Sequence, residues 1–214
     1  MRGPSVGVVD LGVGNILSVS NALEHVGAHV FLVDQAAKGH SVDRLVLPGV
    51  GSFRHTMDLL VRSGLNEYVL ATASVGTPVL GICLGMQILM TDGHEDGETL
   101  GLGLIDGSVV HIPTVATDGQ AIRVPHIGWR PLVATGSVSQ PGRDVIDADA
   151  TFYFAHSFAA EPLDPNAVTH TVARGGHQVC AVVMRDNVIG VHFHPEKSGP
   201  AGLEFLKQFI QTQL

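Results

Sequence analysis

Gly81-Ile82-Cys83-Leu84-Gly85 has the form of a nucleophile elbow with cysteine in the usual serine position. Such a turn presses backbone against backbone, so flanking glycines are needed where a Cβ would clash. It lifts Cys83 to a helix N-terminus, where free N–H groups and the helix dipole favour thiolate. A lone buried cysteine is more simply a small core hydrophobe. The flanking glycines and the apolar run before them set Cys83 apart.

A cysteine nucleophile needs a base. His194-Pro195-Glu196 follows a second apolar run, and an imidazole at that strand end is placed to take the Cys83 proton. Glu196 can hold the other ring nitrogen and stabilise the imidazolium, the part played by a triad acid. Pro195 ends the ladder. Acyl transfer also needs an oxyanion hole. The Leu84 N–H is the natural first donor, and Pro48-Gly49-Val50-Gly51 can aim the Val50 N–H as a second. Seen alone, that strip reads equally well as an ordinary strand-to-helix turn. Gly12-Val13-Gly14-Asn15 is not the six-residue dinucleotide fingerprint, and no P-loop occurs, so no cofactor is expected. His192-x-His194 would put two imidazoles on one face of a strand, but no third or fourth ligand lies nearby and no metal is expected. His25, His40 and His170 read as solvated surface residues, and Cys180 as core.

These groups need a scaffold that gathers loops at one edge. Val6 to Val9, His29 to Val33, Arg44 to Leu47 (ended by Pro48-Gly49) and Pro78 to Ile82 read as strands. The first helix starts at a capping Asn15, carries Ile16, Val19, Ala22, Leu23 and Val26 on one face, and stops at Gly27. Met57 to Leu60 and Leu65 to Ala71 also read as helical. The alternation predicts an α/β fold, a mostly parallel sheet with helices on both faces. The second half predicts additional, mostly antiparallel strands at Leu104 to Ile112, Ile122 to Ile127, Thr151 to Phe154, Val168 to Ala173, Val179 to Met184 and Val188 to Phe193. Asp186-Asn187 reads as a hairpin turn, residues 136–149 as a surface loop, and Leu203 to Ile210 as a closing amphipathic helix.

Composition excludes whole classes. Hydrophobic residues make up 45% of the 214 and charged ones only 15%, too apolar for a disordered chain. Asp+Glu number 20 against 12 Lys+Arg, a net charge of −8 that disfavours nucleic acid and anionic membrane surfaces as partners. Two cysteines build neither a disulfide framework nor a Cys-rich zinc site. Val69 to Thr91 carries no charge, but Gly76-Thr77-Pro78 breaks it into helix, strand and helix rather than a membrane span. A cytoplasmic location, where thiols stay reduced, is expected.

Taken together the motifs resemble the class I glutamine amidotransferases, and among them the glutaminase subunits of imidazole glycerol phosphate synthases. The resemblance covers nearly the whole chain. It rests on Gly12-Val13-Gly14-Asn15, Leu47-Pro48-Gly49-Val50-Gly51-Ser52-Phe53, Leu80 to Gln87, Pro125-His126-Ile127-Gly128-Trp129, Tyr153-Phe154-Ala155-His156-Ser157, and Phe193 to Ser198. It implies that Cys83 attacks the side-chain amide of glutamine, that His194 protonates the departing ammonia, and that water hydrolyses the thioester. It also implies glutamine contacts at Gly51, Gln87, Glu95, His156, Ser157 and Phe158. Asn15, Trp129, Tyr153 and Lys197 match positions at the interface with a (β/α)8-barrel cyclase that receives the ammonia. Three positions depart from the pattern: His192 where glutamine is usual, Arg130 where asparagine is common, and Phe158 where tyrosine is frequent. One amidotransferase domain over residues 1–214 leaves no room for a fused barrel of about 250 residues, so the acceptor is expected on another chain. The rivals are an amidotransferase feeding surface-sugar synthesis, a free-standing γ-glutamyl hydrolase, and a catalytically dead binding module.

Overall fold

The computed structural model describes residues 3–35, 41–135 and 150–212. In chain order the elements are β1 (Ser5–Val9), α1 (Ile16–His25), β2 (His29–Val33), β3 (Arg44–Gly49), α2 (Phe53–Ser63), α3 (Leu65–Ser74), β4 (Val79–Cys83) and α4 (Leu84–Ile88). There follow β5 (Met90–Gly93), β6 (Thr99–Leu100), β7 (Ile105–His111), β8 (His126–Pro131), β9 (Val133–Ala134) and β10 (Thr151–His156). The chain closes with β11 (Phe158–Pro162), β12 (Val168–Arg174), β13 (His177–Arg185), β14 (Val188–Val191) and α5 (Gly199–Gln211).

Eight strands form the main sheet in the order β2-β1-β3-β4-β14-β13-β12-β9. The first five run parallel and the last four pair antiparallel, so β14 belongs to both halves. Among the described residues, a four-stranded sheet (β11-β7-β5-β6) and a two-stranded ribbon (β10-β8) complete the set. Apolar spacing assigns each helix its face. Val19, Ala22 and Leu23 of α1 pack with Phe205, Leu206, Phe209 and Ile210 of α5 on one face. Phe53, Met57 and Leu60 of α2 pack with Leu65 and Val69 of α3 on the other. The uncharged stretch from Val69 divides into the end of α3, β4 and α4, and among the described residues no helix is long and apolar enough to cross a membrane.

Several expectations are corrected. Strand β3 does not end before Pro48-Gly49, which pair in register with Ile82 and Cys83. Leu45 donates toward β4, to Pro78 O. By alternation the missing Pro48 N–H therefore faces β1, whose ladder has already ended at Val46. The strand expected at Ile122 to Ile127 is instead β8, which starts at His126, after Pro125, a residue with no N–H to give a ladder. Strand β14 stops at Val191, two residues short of the expected Phe193, so His192 and His194 lie beyond its end and share no strand face. His170 is buried rather than solvated, because register shifts on either side of it turn its side chain inward. His25 is exposed, Cys180 is buried, and its thiol pKa is pushed up to about 12 by burial. His40 and the loop expected at 136–149 lie outside the described residues.

Candidate active site

Loops at the carboxyl ends of parallel strands are where open α/β sheets build their sites. Cys83 is the last residue of β4 and sits directly across from Gly49, the last residue of β3. His194 follows the end of β14, the other neighbour of β4. Three adjacent strand ends thus bring together segments far apart in sequence.

The elbow is tight. Cys83 has φ 53° and ψ −108°, a strained conformation for a non-glycine residue, worth about 1–3 kcal/mol where it is held at a functional turn. A Cβ on Gly81 would lie 2.6 Å from Gly85 O, and one on Gly85 only 1.8 Å from Leu47 O. A Cβ on Gly49 would meet Gly85 N at 2.9 Å. The glycines thus allow β3, β4 and α4 to touch backbone to backbone, which sets the Leu84 N–H beside the strip holding Val50 and Gly51. Gly51 takes φ 116°, a value suited to glycine alone.

The His194 Nδ1 is 2.9 Å from Glu196 Oε1, and both side chains are almost wholly buried. The other ring nitrogen is left for Cys83, which lines the same cavity and favours the charged ring. Burial works against a charged His194, but the hydrogen bond to Glu196 and the proximity of Cys83 outweigh it and raise its pKa to about 9. Burial likewise opposes a charged Glu196, yet the His194 and Asn15 bonds hold its carboxyl below the usual range. Asn15 does not cap α1 as expected. Its Nδ2 donates instead to Glu196 Oε1 at 3.1 Å, fixing the carboxylate from the loop after β1.

A cavity of about 280 Å³ opens over Cys83 and His194. Val50, Gly51, Leu84, Gln87, Glu95, His156, Ser157, Phe158 and Lys197, all singled out from sequence, line it. Their side chains are engaged to different degrees. Glu95 Oε2 accepts from Phe53 N at 2.7 Å at the start of α2, where a carboxylate complements the helix dipole. Gln87 Nε2 reaches Phe158 O at 3.3 Å and His192 Nε2 at 3.1 Å. The His156 ring is committed inward, with Nδ1 2.9 Å from Phe158 O and Nε2 3.0 Å from His126 Nδ1. His156 therefore meets the cavity without a free ring nitrogen. Trp129 and Tyr153 lie opposite each other on the β8–β10 ribbon, edge to face at 6.0 Å, with Trp129 48% exposed. Tyr153 also approaches the His194 ring at 6.4 Å.

Two arrangements have no counterpart in the sequence reading, although some of their residues do. Ser198 Oγ donates to His194 O at 2.6 Å and accepts from Tyr153 N at 3.0 Å, tying the histidine's main chain to β10. The signal was a serine two residues past Glu196, where α5 begins. The other is a buried histidine cluster, His126, His156 and His192, joined by the hydrogen bond above and by a 3.9 Å contact between the His156 and His192 rings. Among the described residues no group of three or more metal-ligating side chains is arranged to hold an ion. His192 turns to Gln87 and to Cys180 O, and His194 to Glu196, so the two do not converge.

The elbow on a doubly wound sheet, with an imidazole and a carboxylate behind the thiol, defines an amidotransferase-type site. The chain belongs to the class-I glutamine amidotransferase family, whose sequence model matches residues 7–212. At finer grain it is similar to imidazole glycerol phosphate synthase subunit HisH 1 of Legionella pneumophila (strain Lens), 42% identical over 210 residues, covering 97% of this chain and 99% of that one. The corresponding subunit HisH of Geobacillus thermodenitrificans (strain NG80-2) is also 42% identical, over 205 residues, covering 96% and 94% of the two chains. Among solved structures, that of PurLQS from Thermotoga maritima shares the fold with a TM-score of 0.73 at 21% identity, covering 97% of each chain.

Proposed function

We propose that this chain is a single-domain glutaminase subunit of an imidazole glycerol phosphate synthase in histidine biosynthesis, working in the cytoplasm with a (β/α)8-barrel cyclase on a separate chain. Cys83, with its proton on His194, attacks the side-chain carbonyl carbon of glutamine. The developing oxyanion is met by the Leu84 N–H and, when the strip is aimed inward, the Val50 N–H. His194 returns the proton to the leaving nitrogen, and ammonia departs. Water, deprotonated by His194, then cleaves the thioester, so glutamine and water yield glutamate and ammonia. Glu196, itself held by Asn15, keeps the ring oriented and its positive charge stabilised. Gln87, Glu95 and the 156–158 stretch receive the amino-acid end of the substrate. Asn15, Trp129, Tyr153 and Lys197 lie at the partner interface.

The observation that carries this reading is the His194–Glu196 pair, hydrogen-bonded at 2.9 Å, on the same cavity as Cys83, Gln87 and Glu95. It is tested by measuring glutamate release with and without the barrel cyclase and its ligand. Low activity alone and strong stimulation in the complex are expected. A Gly-rich strip at 49–51 can rotate a peptide, so the second oxyanion donor need not be aimed until the partner docks. Equal activity in both states would replace the subunit reading with a free-standing hydrolase.

A further inference from the structure

We infer that His192 is a positioning residue for glutamine recognition: as its neutral Nδ1–H tautomer it holds the Gln87 amide in one orientation, leaving Gln87 Oε1 to accept a hydrogen bond from the substrate. The inference rests on the proposed role of Gln87 as a substrate contact.

The protons of the cluster follow from its acceptors. One Gln87 amide atom lies 3.3 Å from Phe158 O and 3.1 Å from His192 Nε2. A main-chain carbonyl only accepts, so that atom is the amide nitrogen. An amide nitrogen only donates, so His192 Nε2 accepts and the ring carries its proton on Nδ1. That Nδ1 faces Cys180 O at 3.4 Å, an acceptor in the right place. The same reasoning runs along the neighbouring rings. His156 Nδ1 donates to Phe158 O at 2.9 Å, so its Nε2 accepts from His126 Nδ1 at 3.0 Å. All three histidines are neutral Nδ1–H tautomers. Phe158 O collects two donors, one from His156 and one from Gln87.

This wiring leaves the Gln87 amide no second orientation. Turned over, its oxygen would face the Phe158 carbonyl and the His192 lone pair together. As set, both amide hydrogens are committed and Oε1 remains on a side chain that lines the cavity. Gln87 is itself buried, so an apolar residue at position 192 would strand one of its hydrogens. His192 faces His194 beyond the end of its own strand, His156 from β10, His126 from β8 and Cys180 from β13; His194 and His126 favour its neutral form, and the Cys180 carbonyl, as an acceptor, opposes them. Burial foremost, with the charges of His194 and His126, lowers the His192 pKa to about 4.

The test compares His192→Leu, His192→Met and His192→Gln in the complex with the barrel cyclase. A buried donor left without its acceptor weakens ground-state binding by about tenfold. His192→Leu is expected to raise KM for glutamine about tenfold with little change in kcat. His192→Gln, which restores an acceptor oxygen, is expected to recover most of the lost affinity. Synthesis from added ammonia reports folding and docking and is expected to stay at the wild-type level. If His192→Leu loses that too, His192→Met, whose unbranched chain adapts better to the flat space left by the ring, carries the comparison. In a Gln87→Ala background, His192→Leu is expected to have no further effect, since it acts through Gln87. An unchanged KM, a loss confined to kcat, or full additivity with Gln87→Ala would overturn the inference. Wild-type complex without glutaminase activity would instead overturn the proposed function.

Discussion

Gly85→Ala isolates the closeness of the elbow. A Cβ at Gly85 would lie 1.8 Å from Leu47 O and 2.8 Å from Leu47 C. Relaxed contacts of this type sit near 3.5 Å, so one side must retreat by roughly 1.5 Å. Strand β3 cannot, because Leu47 is buried and its ladder with β4 runs through Gly81. Helix α4 is buried along its whole length. The displacement therefore falls on the turn that carries Cys83 and the Leu84 N–H. A shift of about 1 Å at reacting groups costs on the order of 10²-fold in rate. Overpacking adds about 3 kcal/mol of destabilisation, a fall in Tm of about 6–12 °C for a domain of this size. Helix propensity returns only about 1 kcal/mol of that. The assay is glutamate release by the complex, with thermal unfolding of the free subunit alongside. Gly76→Ala is the control: with φ 84° and nothing within 4 Å of its Cβ, it meets backbone strain alone, about 1–2 kcal/mol, with no change in kcat. If Gly85→Ala keeps kcat within about threefold and loses no more Tm than Gly76→Ala, the close backbone contact does not set the geometry of the site.

Three further outcomes are expected. Cys83→Ala abolishes glutamine-dependent synthesis while synthesis from added ammonia continues; retained glutaminase would disprove the nucleophile. Glu196→Gln removes a carboxylate that helps hold the His194 pKa at about 9, so an NMR titration of the ring should move toward 6.5. Because that folded value lies above the unfolded one, the wild-type stabilisation is full below about pH 6.5 and is lost as pH rises through about 9; an identical stability profile in the variant would refute the linkage. The buried histidines work the other way. His126 and His192 have folded pKa values near 4, so stability present above pH 6.5 is lost as pH falls through 4. For fully buried His192 the loss is about 3 kcal/mol, read by urea unfolding at pH 7 and pH 4. Equal stability at the two pH values would show that these rings are charged in the fold.

What could be read from sequence was what is local. The elbow, the strip at 48–51 and His194-Pro195-Glu196 are short segments whose glycines and proline carry their own geometry, and the structure gathers them at three adjacent strand ends. The histidine cluster could not be read that way. His126, His156 and His192 come from β8, from β10 and from just past β14, and only the pairing of the ribbon, with its position over the sheet, brings them together. Asn15 looked like a cap because local chemistry favours it there; its partner lies 181 residues away. His170 looked polar and exposed because alternation was extended through a stretch where the register shifts. Strands β5 and β6 lack an alternating pattern because they are short, four and two residues, and β11 takes its order from β7, nearly fifty residues earlier.

Among the described residues, the β8–β10 ribbon pairs with no strand of the two larger sheets. Besides the His156 contacts, it is tied to the site's main chain at Tyr153, whose carbonyl accepts from His194 N at 2.9 Å and whose N–H donates to Ser198 Oγ at 3.0 Å. Ser198 Oγ closes the loop on His194 O at 2.6 Å. In mechanical terms this is a three-point clamp. The main chain that carries the imidazole is thus bolted to one edge of the ribbon, and the exposed Trp129 sits directly across from that attachment point.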